Sequence, residues 1–394
     1  LDDLGNPHEA LTAVQVAGSN GKGSTARVLA DILREAGADV GLYTSPDLND
    51  LRERVRVRGQ KIPKREVATF VDEHWSSIVD HSVRGDEPTF FEVVTALSLW
   101  HFDRENVDVA VLEVGIGGRY DATSVVDPVA SAVTNVSLEH TDIIGATVEE
   151  IARDKAQVAP RDAPLVTGAD GAALDAIREV TDAVSVGSAE ADADVVAVEN
   201  GMHSAVESEV SIAGPEWTVE TNLPLLGAHQ ATNAGVAATL ARQIADVDTD
   251  TVAEGLRSVL WPGRFEIMST DPMVVLDGSH NPGAAATLGD LLARYDYDDL
   301  HLVFGTMADK AHDEMVASLP PVAPAYAPRP ELDRAEDPEA LSATLGEYAD
   351  AVETVPSVPE ATERAIEAAD PDDFVLVTGS LYAVAEARDR WTRL

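Results

Sequence analysis

The sequence predicts an α/β protein. A P-loop-type domain on a mostly parallel sheet carries a small antiparallel β insertion, and a smaller Rossmann-like α/β domain follows it. Three observations predict this. Val14 and Val16 sit in a short apolar strand that runs into Gly18-Ser19-Asn20-Gly21-Lys22-Gly23-Ser24 and then into a helically spaced segment, Thr25 to Ala36. Val107 to Val114 is a nearly unbroken apolar run, as in a central parallel strand buried on both faces. Short alternating segments between Val184 and Leu226 give way, after Trp261-Pro262-Gly263-Arg264, to a fresh series of alternating strands and helices.

In order along the chain, residues 39–43 form a second strand that ends at Thr44-Ser45-Pro46, where proline stops regular pairing. Arg52 to Arg58 reads as a loop and a short edge strand, and Pro63 to Val79 as a helix. Thr89 and Glu92 have capping-box spacing at the start of the next helix. After the apolar run, Gly115, Gly117 and Gly118 permit a sharp turn. A strand from Pro128 to Val136 leads to Glu139-His140, and a helix runs from Thr147 to Val158 with Lys155 in its last turn. Helices follow at 229–245 and 251–260. Beyond the break, strands are expected at 273–277, 300–304, 323–327 and 373–378, with helices at 283–294, 312–318, 337–348, 357–368 and 381–392. The domain boundary is placed at Arg264, giving domains 1–264 and 265–394.

The chain has 394 residues, 45% of them apolar, and no cysteine, which excludes disulfides and thiolate chemistry. No apolar run reaches membrane-spanning length and no signal peptide is visible, so a cytoplasmic protein is expected. The start at Leu1 rather than methionine suggests missing upstream sequence. The net charge is −42, with the acids scattered rather than gathered in tails. This fits a surface solvated at high salt and argues against binding nucleic-acid phosphates. Only five lysines occur, at 22, 61, 64, 155 and 310. A chain that sheds lysine from its surface keeps some for chemistry.

The glycine loop suits a nucleoside triphosphate. Glycines let successive N–H groups face one phosphate chain, the helix N-terminus adds positive charge, Lys22 is a mobile cation and Ser24 offers a metal-binding oxygen. The generic GxxxxGK[ST] pattern fails in detail, since Val16 and Gly23 stand where it needs Gly and Ser or Thr. A ligand-free turn is the alternative. In a parallel sheet the carboxyl ends share one edge, so Ser45, Glu113 and His140 converge beside the loop, a set suited to magnesium.

Twelve blocks in order, AGSNGKGST, LYTSPDL, ERVRVRG, TFFEVVTAL, LEVGIGGRYDAT, SLEHTDIIG, IARDKAQV, GAHQATNA, WPGRFE, LDGSHNP, FGTMADK and LVTGSLY, closely resemble the folylpolyglutamate synthase/dihydrofolate synthase family of Mur-type ligases. The resemblance covers nearly the whole chain. It implies ATP-dependent ligation of L-glutamate to dihydropteroate, reduced folates or both through an acyl phosphate, within folate and one-carbon metabolism. The first domain would then be the ATP-binding central domain, with its N-terminal segment missing, and the second the glutamate-ligase domain. The resemblance further implies that Asn20, Gly21, Lys22, Gly23, Ser24, Asn233, Arg264 and Asp277 bind ATP. Ser24, Ser45, Glu113, His140 and Lys155 would serve magnesium, Lys155 as a carbamate. A helix C-terminal cation is the alternative role for Lys155. Thr89, Phe90, Phe91, Glu92, Tyr120, Asp121 and Ala122 match folate-side positions, and His280 and Ser380 lie near the incoming glutamate. Lys22, Glu113, His140, Lys155 and His280 carry the catalytic expectation.

The expected cofactor is Mg2+, with a monovalent cation such as K+ as an open second. The expected partners are ATP, L-glutamate and the folate acceptor, with no nucleic acid and no membrane. A monomer is expected, and fusion to another folate enzyme beyond this chain is left open. Three departures from the family pattern stand out. Asp47 replaces a usual His, Asp50 and Arg52 replace the common Arg and Asn, and Glu139 replaces the usual Asp before His140. The loop at 47–52 therefore accommodates a different tail or is tuned to salt. Two other readings compete: a Mur-type ligase for another cofactor or cell-wall carboxylate, and a nucleotide-binding module that no longer ligates.

Overall fold

The structure, a computed structural model, describes residues 1–392. The chain divides into two compact units, one of residues 1–224 with 228–259 and one of residues 225–227 with 260 onward.

In the first unit the chain runs β1 (Ala13–Ala17), α1 (Lys22–Glu35), β2 (Val40–Tyr43), β3 (Val55–Val57), β4 (Gln60–Lys61), α2 (Lys64–Arg84), α3 (Phe90–Arg104), β5 (Val109–Glu113), β6 (Ala130–Val133), α4 (Val148–Lys155), β7 (Leu165–Thr167), α5 (Gly171–Arg178), β8 (Ala183–Gly187), β9 (Val195–Ser204), β10 (Glu207–Gly214), β11 (Trp217–Leu223), α6 (Ala228–Ile244) and α7 (Thr249–Arg257). One sheet contains all eleven strands in the order β11-β10-β9-β8-β7-β6-β1-β5-β2-β3-β4. The run from β8 through β2 is parallel. β1 lies between β5 and β6, so the chain leaves it toward one side for β2 and toward the other for β6. Ligands bind at such a switch point, outside the carboxyl ends. β1 is buried along its whole length, because helices cover both faces of a parallel sheet. One core joins Tyr43, Phe70, Leu99, Phe102 and Leu112 under α2 and α3.

The antiparallel strands β9, β10 and β11 extend this same sheet, since the end of β8 pairs in parallel with Val195 and Val196 of β9. Val184 lies in β8, so the antiparallel part begins later than its alternation suggests. β6 stops at Val133 rather than Val136, where Thr134 and Asn135 turn into the loop.

The second unit runs β12 (Glu266–Thr270), β13 (Met273–Leu276), α8 (Pro282–Leu292), β14 (Leu300–Phe304), α9 (His312–Ala317), β15 (Val322–Pro328), α10 (Pro338–Leu345), β16 (Ala349–Val355), α11 (Val358–Ala368), β17 (Phe374–Thr378) and α12 (Leu381–Thr392). Its sheet order is β12-β13-β17-β14-β15-β16, parallel except for the β12–β13 hairpin. Phe304, Phe374, Leu288 and Leu292 form its core, with Leu226 packed among them. The edge strands β12 and β16 escape the sequence pattern because each pairs on one side only and stays half-exposed. Among the described residues, no helix is long and apolar enough to cross a membrane.

Candidate active site

The glycine loop fills the turn from β1 into α1. Gly18 has φ +142°, and a Cβ there would lie 1.9 Å from the Thr134 hydroxyl. Gly21 caps α1 at φ +80°, and its Cβ would lie 2.6 Å from Asn233 Oδ1. Only glycine combines these torsions with such close approach. The loop is clamped from the end of β6. Asn20 N–H donates to Asn135 Oδ1 (2.9 Å), and its carbonyl accepts from Thr134 Oγ1 (2.6 Å) and Asn135 Nδ2 (2.9 Å). Lys22 folds back and donates to the carbonyls of Gly18 (3.0 Å) and Ser19 (3.1 Å). Ser24 is buried in the first turn of α1, and Asn233 is buried on α6 against Gly21.

Beside the loop, Glu113 ends β5 opposite Val16 of β1. It is 5% exposed, and its Oε2 accepts from Ser45 N–H at 2.8 Å. Lys155, the last residue of α4, is 1% exposed and donates to Gly18 O (3.0 Å) and Glu139 Oε1 (2.7 Å). Two lysines therefore share one loop carbonyl. Burial pushes the Lys155 amine below the usual lysine range, with Glu139 opposing. Burial pushes the Glu139 carboxyl up, but Lys155 and Lys22 outweigh it and hold it below the usual range. Lys155 is thus no surface cation at a helix end.

Several expected residues stand elsewhere or already have work to do. His140 is exposed in a left-handed turn (φ 47°) seven residues past β6, not at a strand end, and its carbonyl accepts from Ile143 and Ile144. Asp121 is buried. One of its oxygens accepts from Gly115 and Ile116 N–H and the other from Thr123, so it shapes the turn. Thr89 and Glu92 cap each other in a complete capping box. Phe91 packs against Tyr43, whereas Phe90 and Tyr120 are 61% and 82% exposed. A cavity of about 330 Å³ between α2 and α3 is lined by Phe70, His74, Ile78, Val93, Glu92 and Ala122.

In the second unit, Asp277 follows β13 and accepts from Phe265 N–H, Ser279 N–H and Ser279 Oγ, holding its own loop. Arg264 donates to Gly263 O, and exposed His280 contacts Gly278 O through Nδ1. Ser380 is buried after β17, donates to Gly305 O and accepts from Ala383 N–H, which caps α12. The sequence expectation missed Thr134, Asn135 and Asp154, whose Oδ1 accepts from Gly118 N–H at 3.0 Å. A polar pair directly after a buried strand is the available signal for the first two.

The Mur ligase middle domain matches residues 16–241, and the Mur ligase glutamate ligase domain matches residues 263–381. The dihydrofolate synthase/folylpolyglutamate synthase of Escherichia coli is 35% identical over 388 residues, covering 95% of this chain and 85% of that protein. This chain belongs to the folylpolyglutamate synthase/dihydrofolate synthase family of Mur ligases. A probable bifunctional folylpolyglutamate synthase/dihydropteroate synthase of Haloferax volcanii is 56% identical over 398 residues, covering 100% of this chain and 48% of the relative. A protein of the same name from Halobacterium salinarum is 55% identical, with 49% covered. The chain thus spans about half the length of these relatives. Among solved structures, Mycobacterium tuberculosis folylpolyglutamate synthase complexed with ADP matches with a TM-score of 0.91 at 31% identity, covering 100% of this chain and 93% of that one.

Family members imply magnesium, and the donor chemistry fits it. Ser24 and Ser45 hydroxyls and the Glu113 carboxylate are hard oxygen donors beside the glycine loop. No three His, Asp or Glu side chains gather as a metal cage among the described residues.

Proposed function

We propose that the chain ligates L-glutamate to dihydropteroate, to reduced folates, or to both, using ATP. The observation that carries this reading is the convergence at the switch point of β1. The glycine loop, the Ser45–Glu113 pair and the buried Lys155–Glu139 pair all meet there. The acceptor carboxylate attacks the γ-phosphorus, a C–O–P linkage forms and ADP leaves with the bridging oxygen. The glutamate amine then attacks the acyl carbon, a C–N bond forms, phosphate departs and the nitrogen loses its proton.

In this reading Asn20 to Ser24 hold the phosphates and Lys22 swings from the loop carbonyls to the γ-phosphate. Asn233, Arg264 and Asp277 hold the nucleotide, and His280 and Ser380 hold glutamate. Ser24, Ser45 and Glu113 would hold magnesium, which when bound offsets the charge of two meeting anions. Carbamylation of Lys155 belongs to the same proposal: burial favours the neutral amine that reacts with carbon dioxide. A monovalent cation and a cytoplasmic setting complete it. The test is ATP-dependent incorporation of labelled glutamate at high potassium chloride, with dihydropteroate and tetrahydrofolate as parallel acceptors. ATP binding without glutamate transfer to either acceptor rejects the reading.

A further inference from the structure

Between Ser45 and β3 the carboxyl edge of the first unit carries a loop whose charges neutralise one another. Arg54 Nε donates to Asp47 Oδ1 at 2.5 Å. Arg52 donates through Nη2 to Asp50 Oδ2 at 2.5 Å and through Nε to both Asp50 oxygens at 3.0 Å. Lys61 donates to Glu53 Oε1 at 2.7 Å, and the other Glu53 oxygen accepts from Leu48 N–H. Farther along, Arg58 pairs with Asp39 and Glu105, whereas Arg56 in β3 makes no ion pair among the described residues: Arg27 repels it, Glu53 and Asp31 attract it, and its buried Nε has no hydrogen-bond partner. The Arg54 guanidinium also sits 5.3 Å from the centre of the exposed Phe90 ring, at the start of α3. Arg119, over Tyr120 at 4.8 Å, has no acid partner among the described residues.

We propose that this loop selects an acceptor with a single carboxylate, of the dihydropteroate class, over folates that already carry an oligoglutamyl tail. The inference rests on the ligase reading above. Each glutamate added consumes one carboxylate and brings two, so the acceptor gains one negative charge per cycle. A site that welcomes a lengthening polyanion must offer unpaired cations. Here a tail carboxylate can reach Arg54 or Arg52 only by displacing Asp47 or Asp50. Those acids are tethered seven and two residues away, so they compete at high effective concentration. A displaced acid would then stand beside the incoming anion. Arg54 is 11% and Arg52 26% exposed, so bulk salt screens the competing pairs only partly. Arg119 remains as a cation for one carboxylate.

The experiment compares kcat/KM for dihydropteroate, tetrahydrofolate and a tetrahydropteroyl triglutamate in molar potassium chloride, with wild type and the Asp47→Asn, Asp50→Asn double variant. Asn keeps the shape and removes the charge. Wild type is expected to lose on the order of tenfold or more from the first acceptor to the last, and the double variant to narrow that ratio to about threefold. The readout is the ratio within each protein, so a uniform change in activity does not count. Equal use of all three acceptors by wild type overturns the proposal even if the variant does not fold, as does an unchanged ratio in a folded variant. Absence of transfer to every acceptor brings down the ligase reading and this one with it. Equal transfer brings down only this one.

Discussion

Lys155 is the residue where burial and charge conflict most sharply. Its ammonium has two acceptors, Gly18 O and Glu139, and almost no water. Arginine cannot give up its proton and has a larger, planar head, so Lys155→Arg should lose nearly all ligation and destabilise the unit by about 1–3 kcal/mol. Activity and thermal melts of the variant check both. Lys155→Ala should be partly rescued by short carboxylic acids if a carbamate occupies the site. Rescue by alkylammonium ions alone would instead assign Lys155 the cation paired with Glu139. Glu113 offers a cleaner substitution. Gln can still accept from Ser45 N–H, so Glu113→Gln should fold as wild type yet lose about 10²-fold or more in turnover with magnesium. Normal turnover would make Glu113 a structural acid.

At the scale of elements, the β1–α1 turn depends on atoms that are absent. Gly18→Ala puts a methyl where the Thr134 hydroxyl stands, in a backbone region that side chains avoid. The clamp on Asn20 must shift, at a cost of about 1–3 kcal/mol, and ADP affinity measured calorimetrically should fall with the melting midpoint. Helix α3 predicts a pH response. His101 is 2% exposed against Trp100, with Nδ1 unpartnered, and burial lowers its pKa below 6.5 despite Glu105 and Glu66, with Arg104 adding to the shift. Below pH 6.5 the unfolded chain takes up this proton and the native state does not, so stability falls as pH falls through the window under 6.5. Denaturant midpoints between neutral and mildly acid pH should show that slope, and His101→Phe should reduce it. Identical slopes would show that His101 is not its source.

For the whole molecule, a net charge of −42 dominates behaviour in solution. At low salt its self-repulsion reaches far. In molar salt the screening length shrinks to about 3 Å, so only paired charges still interact. Folding and activity should therefore rise with salt into the molar range. A chain fully stable in dilute buffer would contradict this.

The sequence by itself determined what depends on local pattern and residue type. The α/β class followed from apolar runs and helical spacing, and the capping box at Thr89 and Glu92 from spacing alone. The loop that places Lys22 and Ser24 followed from its glycines. Only tertiary structure decided what depends on distant neighbours. Asp121 reads as a ligand-facing acid, yet Gly115, Ile116 and Thr123 satisfy its oxygens. Glu139 reads only as a replacement for the usual Asp before His140, yet it neutralises a lysine sixteen residues away. His140 reads as a strand end because Val136 extends the apolar pattern, but Thr134 and Asn135 leave the sheet to clamp Asn20. Strands β9 to β11 read as an antiparallel insertion, and only the structure shows that β8 joins them to the parallel sheet. Periodicity records which face of an element is buried. Partners of charges and edges of sheets are set by segments far apart in the chain, which leave no mark on local spacing.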